Sequence, residues 1–379
     1  MIPALPEEKF IYPSAWYSCF SRLVIACMVL SGVLVTPYVK SAEQEGDARS
    51  RLYLYLYQDQ GPARDGRLLE KAKQEGSVVI YTSMNLKDSQ PLIEAFEKKH
   101  GIKVTLWHAV GEKVALRALT EARAGRHAVD VVGTSGPQME VLYREKVFAP
   151  FYSPAFKDLP AAAFPPHKHY VGARINFFVL AYNTKLIPPK DAPGSYEDLL
   201  DPKWTGKLGI EASDVAWFAA VTKAMGEKQG LAYFQKLSGM KPSIRNGHTL
   251  MAQLVSAGEI PMAVNAYNHS IERLKNKGAP IDWKPLQPAF GEPNAIGLPK
   301  QAPHPHAALL FADFVLSTEG QRIIQSRGFV PASLAVDSPL NKFKYEIIDP
   351  GIVLDEWDKW SKLWSNLFLK GQEFKKDAN

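Results

Sequence analysis

The sequence predicts an α/β fold divided into two lobes. The 337 residues after position 42 are enough for two lobes of ordinary size. Short apolar strands alternate with amphipathic helices, the pattern of a largely parallel sheet covered by helices. A second series of the same kind begins near residue 196, after a strongly apolar strand at 176–182. With 46% hydrophobic and 22% charged residues, the chain has a globular composition.

The first 42 residues are predicted to be an export signal, and they are left out of the fold. The apolar run 23–35 follows Arg22, and residues 39–41 suit a cleavage site. This run has 13 residues, fewer than the about 20 that a membrane-spanning helix needs. Both cysteines, Cys19 and Cys27, lie in the segment, so a cleaved protein has none. A retained anchor and a lipid anchor at Cys27 are the alternatives.

The composition after residue 42 excludes several classes of function. Without cysteine, disulfides, thiolate metal sites and cysteine catalysis are not expected. The net charge of +6 is compatible with an anionic ligand or simply with solubility. Lys and Arg do not form a stripe, and zinc-finger and RNA-recognition patterns are absent, so nucleic acid is not an expected partner.

The first series of elements begins after a predicted linker at 43–66. Within this linker, the alternating tract 52–57 is compatible with a strand or with a helix. Glycines at the ends of the first two helices mark where those helices stop. The predicted helices are 67–75, 89–100 and 112–124, and the predicted strands are 78–82, 103–108 and 129–133.

The second series follows a proline-rich passage and the apolar strand at 176–182. The predicted helices are 196–200, 217–225, 231–237, 249–257 and 304–317, and the predicted strands are 208–210, 262–264 and 294–298. The tail 355–369 is predicted to be helical. Its residues Trp357, Trp360 and Trp364 are spaced by three and four positions, which indicates a stripe facing the core.

Hydroxyl and carboxyl side chains follow successive strands. Thr82 and Ser83 follow the first strand, Thr134 and Ser135 follow the third, and Ser213-Asp214 follow a strand of the second series. In open α/β sheets such positions line the ligand crevice, and helix N-termini there favour anions. Each of these residues is equally compatible with a helix cap. We expect the recurrent hydroxyl positions to bind a ligand.

Other candidates lie outside those loops. Arg174, before the apolar strand, and Arg245, in a polar loop, each suit a bidentate clamp on a carboxylate or phosphate, or a surface position. Tyr267 suits the lining of a cleft or packing, and Trp217 suits an aromatic wall or the core. The H-x-H pairs at 167–169 and 304–306 are expected to be solvated loop residues rather than a zinc site.

Several segments, taken in order, resemble the periplasmic solute-binding components of ABC importers, in the type 2 architecture and the branch that contains ferric-ion-binding proteins. The resemblance covers about residues 67–335 and depends on the ordered set more than on any one segment. The segments are 69–83, 92–104, 128–132, Ala181-Tyr182-Asn183-Thr184, 196–207 with Asp201-Pro202-Lys203-Trp204, 256–263 and 303–308.

The resemblance implies two lobes with a hinge and a ligand cleft between them. It places the first lobe at 67–175 and 292–335, the second at 176–291, and C-terminal helices at 336–379. It also implies periplasmic localisation, a small ligand, delivery to an ABC permease at the inner membrane by hinge closure, and a monomer without a cofactor.

The resemblance to the ferric branch implies iron as an alternative ligand, but this chain has only part of a sequence feature of that branch. Ferric-binding relatives carry paired tyrosines, whereas this chain has Tyr267 followed by Asn268. Iron(III) prefers several hard, charged oxygen ligands. A small, oxygen-rich anion is therefore the expected ligand, with a ferric complex as the alternative and no other metal expected.

Two other classes of function are alternatives. A secreted α/β enzyme is disfavoured because the G-x-S-x-G, P-loop and G-x-G-x-x-G patterns are absent, and Asp130 has no evident partner in the sequence. The effector domain of a regulator shares the fold, but the export signal and the lack of a DNA-binding segment disfavour it.

Overall fold

The structure is a computed structural model that describes residues 53–338 and 343–369. The predicted export signal and both cysteines therefore lie outside the described residues. Within the described ranges, no helix is both long and apolar enough to cross a bilayer.

The elements follow one another in an alternating order along most of the chain. In chain order the strands are β1 (Ser77–Thr82), β2 (Lys103–His108), β3 (Val131–Ser135), β4 (Phe148–Ala149), β5 (Tyr170–Asn183), β6 (Leu208–Glu211), β7 (Ser243–Arg245), β8 (Met262–Tyr267), β9 (Ile281–Lys284), β10 (Ala289–Pro299), β11 (Val330–Pro331) and β12 (Tyr345–Ile347). The α-helices are α1 (Arg64–Glu75), α2 (Leu86–His100), α3 (Gly111–Arg123), α4 (Gly136–Arg144), α5 (Val215–Ala224), α6 (Glu227–Gly239), α7 (His248–Ala257), α8 (Asn268–Lys275), α9 (Pro305–Leu316), α10 (Thr318–Ser326), α11 (Pro350–Asp355) and α12 (Trp357–Trp364).

One continuous set of paired strands runs through both lobes, in the order β2-β1-β3-β10-β5-β8-β6-β7. The pairs β1–β2, β1–β3, β6–β7 and β6–β8 are parallel, whereas β10 and β5 are antiparallel to each other and to their outer neighbours β3 and β8. We call the elements around β1–β3 the first lobe and those around β6–β8 the second lobe. The predicted lobe boundaries at 175/176 and 291/292 fall inside β5 and β10, and their exact positions stay predictions.

Local sequence signals explain where the first helices begin and end. Gly76 and Gly101 follow α1 and α2 at φ 74° and 71°, a left-handed conformation that glycine adopts without strain. The side chain of Asn85 accepts a hydrogen bond from the backbone N–H of Asp88 and caps α2, which therefore begins three residues before the predicted start. Each predicted strand and helix of the first series is confirmed to within a few residues.

Some elements of the structure were not predicted from sequence periodicity, and others were predicted to be shorter than they are. The helices α4, α8 and α10 are not predicted, and the helix predicted at 196–200 is a short 3-10 helix (Glu197–Leu200). β5 begins at Tyr170, six residues before its predicted start, and it is buried along its whole length. A strand buried on both faces has no alternating pattern. In the first half of β5, Gly172, Arg174 and Asn176 also interrupt the apolar run, so this half was not predicted as a strand.

The C-terminal tryptophans confirm the predicted core-facing stripe. Trp360 and Trp364 are 0% and 1% exposed in the core of the second lobe. The indole N–H of Trp364 donates to the carbonyl of Ala212 at 2.7 Å, which joins α12 to the loop after β6. Trp217 belongs to the same core: its ring packs edge-on against Trp364.

The described part of the predicted linker is folded, which corrects that prediction. Residues 53–57 are helical, so of the two structures predicted for the tract 52–57, a strand or a helix, the helix is correct. Tyr57 is fully buried in the first lobe, and its hydroxyl donates to the carbonyl of Pro299 at 3.3 Å. Arg64, at the start of α1, pairs with Asp313 on α9 at 2.7 Å. Burial of an aromatic side chain and a buried ion pair hold this segment against the lobe.

Candidate functional site

Two hydroxyl-bearing loops of the first lobe lie side by side. β1 and β3 are parallel neighbours with Thr82 opposite Gly133, so their carboxyl ends meet at one edge of the sheet. The hydroxyl of Thr134 donates to the hydroxyl of Ser83 at 3.1 Å, and the hydroxyl of Thr82 accepts from the backbone N–H of Met84 at 3.0 Å. The Ser135 hydroxyl donates to the Gln138 side chain. The structure thus brings the first four predicted residues together.

Arg174 lies in the same place. Its guanidinium is 7% exposed and donates to the Oδ1 atoms of Asn176 at 2.8 Å and Asn294 at 2.7 Å. Both acceptors are neutral, and no carboxylate of the described chain forms an ion pair with it. Burial lowers the pKa of Arg174 to about 10, although Tyr267, Asp88 and Glu292 act in the opposite direction. A buried cation without an anionic partner is costly, which makes this group a candidate for binding an anion.

A cavity of about 70 Å³ opens between these residues. We call its polar end the Arg174 pocket, defined by Thr82, Gly133, Thr134, Arg174 and Asn294. Apolar side chains of the first-lobe core line the other end. On this measure a single water molecule needs only about 10–15 Å³, so the cavity has room for a small oxyanion group.

The second lobe approaches the Arg174 pocket through the start of α8. The guanidinium of Arg174 lies 4.3 Å from the centre of the Phe329 ring, and the His269 ring lies 4.5 Å from the same ring. Burial, followed by the charges of Arg174 and Arg273, lowers the pKa of His269 well below its usual range. His269 is therefore neutral near pH 7, and the positive charge at this point is that of the arginines.

Several buried polar atoms around this region have no hydrogen-bond partner within residues 53–338 and 343–369. They are Nδ2 of Asn268, Nδ2 of Asn294, Nε of Arg273 and the Nδ1 atoms of His248 and His269. The side-chain oxygen of Asn268 accepts from the backbone N–H of Phe177 at 2.9 Å, and that of Asn294 accepts from Arg174, so both amide NH₂ groups are the free ends. Buried donors are normally satisfied, and a ligand rich in acceptors would satisfy these.

Tyr267 lies at the end of β8, between two ionisable neighbours. Its hydroxyl donates to Oε2 of Glu292 at 2.6 Å, and its ring stacks on His248 with the centroids 3.5 Å apart. Burial and the Glu292 carboxylate raise the pKa of Tyr267 well above its usual range. The phenol therefore keeps its proton and orients the Glu292 carboxylate.

Glu211, Asp214 and His248 form a buried group that we call the acid cluster. Their ligand atoms lie within 4.8 Å of one another, a spacing that could hold a metal ion. The carboxylate oxygens are already bonded: Glu211 accepts from the backbone N–H groups of Ser213 and Gly247 at 2.8 Å each, and Asp214 contacts His248 at 3.2 Å. A metal would have to displace these donors.

The protonation of the acid cluster follows from its burial. Burial raises the pKa of Asp214 to about 8, with His248 opposing and Glu211 adding to the shift. Burial disfavours the charged form of His248, but the Asp214 carboxylate and its hydrogen bond outweigh this and raise the pKa of the imidazole. Asn265 donates to the other Asp214 oxygen at 2.7 Å. The Asp214–His248 pair therefore retains a proton at neutral pH.

Besides Asp214 of the acid cluster, three other predicted site residues lie away from the Arg174 pocket. Trp217 is 1% exposed and packs edge-on against Phe234 at 5.4 Å, so its ring is part of the second-lobe core. Arg245 is exposed at the end of β7 and donates to the carbonyl of Ile244. The Ser213 hydroxyl donates to Glu211 at 2.7 Å and shapes the loop of the acid cluster.

The histidine pairs have structural partners. His167 contacts Glu140 at 3.1 Å and stacks on Tyr143, and His304 contacts Asp130 at 2.9 Å. Asp130 thus has the partner that the sequence did not reveal: it is fully buried and also accepts from the backbone N–H of His304 at 2.7 Å. Its role is to join the start of β3 to the start of α9.

Glu292, Asn294, Asn268 and His248 are the residues that sequence reasoning missed at this site. Glu292 and Asn294 flank Pro293 in a strand whose pairing with β5 spans more than a hundred positions. Asn268 directly follows the candidate residue Tyr267 and is the first residue of α8. A polar residue at the start of a helix was the signal that could have identified it. No spacing rule links His248 to Asp214.

Comparison with known proteins gives a consistent result. Residues 91–345 match the family described as bacterial extracellular solute-binding protein. A "putative 2-aminoethylphosphonate-binding periplasmic protein" of Salmonella paratyphi A is 30% identical over 265 residues, covering 65% of this chain and 76% of the relative. An Fe(3+)-binding periplasmic protein of Serratia marcescens is 23% identical over 283 residues, 72% of this chain and 83% of the relative.

A solved structure has the same architecture. Iron-bound HitA from Pseudomonas aeruginosa superposes with a TM-score of 0.67 at 22% identity, covering 77% of this chain and 99% of HitA. At this level of identity the similarity shows the fold. The predicted type 2, two-lobed α/β architecture is thereby confirmed.

Proposed function

Because this chain belongs to the bacterial extracellular solute-binding protein family, we propose that it binds a small anion between its two lobes and delivers it to an ABC permease. The proposed ligand carries a compact oxyanion head, and a phosphonate is the first candidate. One relative has 2-aminoethylphosphonate as the ligand in its name. The proposed activity is binding and release, without chemical change of the ligand.

The observation that carries this proposal is the state of Arg174. Its guanidinium is buried and contacts neutral amide oxygens, and Arg174 lines the same small cavity as Thr82 and Thr134. An oxyanion in the Arg174 pocket would accept hydrogen bonds from the guanidinium, from the Thr82 hydroxyl, whose proton is uncommitted among the described residues, and from the free NH₂ group of Asn294. Charge-assisted bonds of this kind are among the strongest in proteins.

Both lobes would contribute to the closed site. The first lobe supplies Thr82 and Thr134, and the paired middle strands supply Arg174 and Asn294. On closure, α8 of the second lobe would supply the side-chain NH₂ group of Asn268, which has no partner among the described residues. Contacts from both sides at once would favour the closed state, since a ligand shifts the equilibrium between open and closed forms by its differential affinity for them.

The proposal places the protein in the periplasm. Support comes from the apolar run at 23–35 and from the periplasmic relatives. Cell fractionation followed by N-terminal sequencing tests this. A product that begins near residue 42 in the periplasmic fraction is expected, whereas an intact N-terminus in the cytoplasm would contradict it. A monomer is expected and is measured on the same sample by light scattering.

Ferric iron is the second candidate ligand. The iron-binding relatives and the acid cluster favour it. Against it, the pKa of Tyr267 is raised and its hydroxyl donates a hydrogen bond to Glu292, whereas iron is bound by the deprotonated phenolate. Addition of ferric citrate tests this: a tyrosinate-to-iron absorption band supports iron bound by Tyr267, and a titration with neither this band nor a rise in melting temperature argues against iron at either place.

Thermal-shift measurements test the proposed function directly. The full chain, produced with its own N-terminal segment, is titrated with 2-aminoethylphosphonate, ethylphosphonate, inorganic phosphate and ferric citrate. We expect a phosphonate to raise the melting temperature, since a ligand that binds the folded state stabilises it. No shift with any of the phosphonates or phosphate would refute anion binding.

A further inference from the structure

Four polar residues form a compact patch where the two middle strands pair. In the antiparallel register of β5 and β10, Arg174 lies opposite Asn294 and Asn176 lies opposite Glu292. Directly opposed residues share a face of the sheet, and so do residues two apart along a strand. The patch therefore has a cationic corner at Arg174 and an anionic corner at Glu292, about 7 Å apart along the strands.

The two charges of this patch do not pair with each other. No nitrogen of Arg174 lies within 4 Å of a carboxylate oxygen in the described chain, yet each charge influences the other, so they lie close. Glu292 is 8% exposed, and its one side-chain partner among the described residues is the Tyr267 hydroxyl, on Oε2. Burial raises the pKa of Glu292, and the nearby Glu112 carboxylate adds to the rise.

An anion without a positively charged group would leave the charges of Arg174 and Glu292 unbalanced. Seated in the Arg174 pocket, it would neutralise the guanidinium and remove the charge that now offsets Glu292. Glu292 would then be a buried anion beside a bound anion, with Glu112 nearby. Like charges in a poorly solvated site repel strongly, so such a ligand would be disfavoured.

Building on the proposed function, we propose that Glu292 is a specificity-determining residue that binds a positively charged group. The ligand of this site is then a short zwitterion, with its oxyanion in the Arg174 pocket and its ammonium on the Glu292 carboxylate. Oε1 of Glu292, which accepts no hydrogen bond from the described residues, is the acceptor for the ammonium. The Tyr267 hydroxyl holds the carboxylate in place through Oε2.

The separation of the two corners limits the length of the ligand. Side chains of two to three carbons extend from strand positions about 7 Å apart, so the ligand charges must be joined by a short spacer. Two carbons between an ammonium and a phosphonate meet this limit. A long diamine or a bulky sugar phosphate does not combine both charges at this distance.

A matched pair of probes tests the inference by isothermal titration calorimetry. 2-Aminoethylphosphonate carries the ammonium, and ethylphosphonate has the same head and carbon chain without it. We expect the wild-type protein to bind the amino compound roughly 10- to 100-fold more tightly, the gain expected of a charge-assisted hydrogen bond. In Glu292→Gln this preference should fall to within about threefold, because ethylphosphonate binding is kept or improved while the amino compound loses affinity.

Controls separate this inference from the proposed function. Glu346→Gln removes an exposed carboxylate on β12 and should leave both affinities unchanged. If wild-type protein binds both probes equally, or prefers ethylphosphonate, the role of Glu292 is refuted while anion binding stands. If neither probe nor inorganic phosphate binds, the proposed function itself fails and the inference fails with it. The wild-type comparison needs no variant, so misfolding of Glu292→Gln would not obscure the result.

Discussion

Replacing Arg174 by methionine should abolish tight anion binding while leaving the fold intact. A guanidinium has five N–H donors, and the structure commits two of them to Asn176 and Asn294. If two of the remaining three reach the oxyanion, at about 1.5–3 kcal/mol for each bond to a charged group, the loss is about 3–6 kcal/mol. That corresponds to a rise in Kd of about 10²- to 10⁴-fold.

The same substitution should change stability little, because two effects oppose each other. Burial lowers the pKa of Arg174 from its usual range to about 10, which corresponds to about 3 kcal/mol against the charged form in the folded state. Methionine removes this cost but leaves the Oδ1 atoms of Asn176 and Asn294 without their donor, at about 1–3 kcal/mol each. The melting temperature should therefore move by only a few degrees.

Calorimetric titration with 2-aminoethylphosphonate and thermal melting by circular dichroism check both parts. Arg126→Met is the matched control, since Arg126 is exposed in the loop before β3, at the opposite end of that strand from Thr134. Arg174→Lys keeps the charge but not the planar fork, and should recover only part of the affinity. A Kd for Arg174→Met within threefold of wild type would refute the assignment of the oxyanion to this residue.

Three further predictions concern stability. The pKa of Asp214 rises to about 8 on folding, from about 4 in the unfolded chain, so the folded state holds an extra proton between these pH values. The free energy of unfolding should therefore fall as the pH rises from 4 to 8, by up to about 1.4 kcal/mol per pH unit. Between pH 5 and pH 8 the melting temperature of Asp214→Asn should fall less than that of the wild type, and an equal fall in both proteins would contradict this. Asp88 is buried and pairs with Arg273 at 3.0 Å and Arg327 at 3.3 Å, so Asp88→Asn should lower the free energy of unfolding in urea by about 3 kcal/mol, and a loss below about 1 kcal/mol would show that the pairs contribute little. Trp364→Ala should cost about 3–5 kcal/mol by opening a cavity in the second-lobe core, whereas a loss no larger than that of the partly exposed Trp357→Ala would contradict the packing.

Local patterns were sufficient to predict most of the fold. β2 coincides with its predicted range, because a half-buried edge strand shows the alternation that periodicity detects. Glycines at positive φ marked the ends of α1 and α2. α4 escaped prediction because Gly136 and Pro137, which read as a loop, occupy its first turn, where proline is tolerated.

The candidate site was predicted in part. Ser83 and Thr134 are bonded neighbours because parallel strands bring equivalent ends together, a rule that works from sequence. Glu292 and Asn294 could not be found that way, since their position beside Arg174 depends on the register of two strands that are far apart in the chain. Trp217 illustrates the reverse case: Trp364 of α12 and Phe234 of α6 pack edge-on against its ring, which places it in the core instead of in a cleft wall.

The α/β class, the order of the elements and the recurrence of hydroxyls after strands are all encoded locally, in spacings of two to four residues. The electrostatic character of the site is not, because it depends on which charges lack partners after folding. In the sequence, nothing distinguishes Arg174 from the other arginines. In the folded protein, the pairing of β5 and β10 buries it between two amides. Charge acts through distance and burial, and both are properties of the tertiary structure.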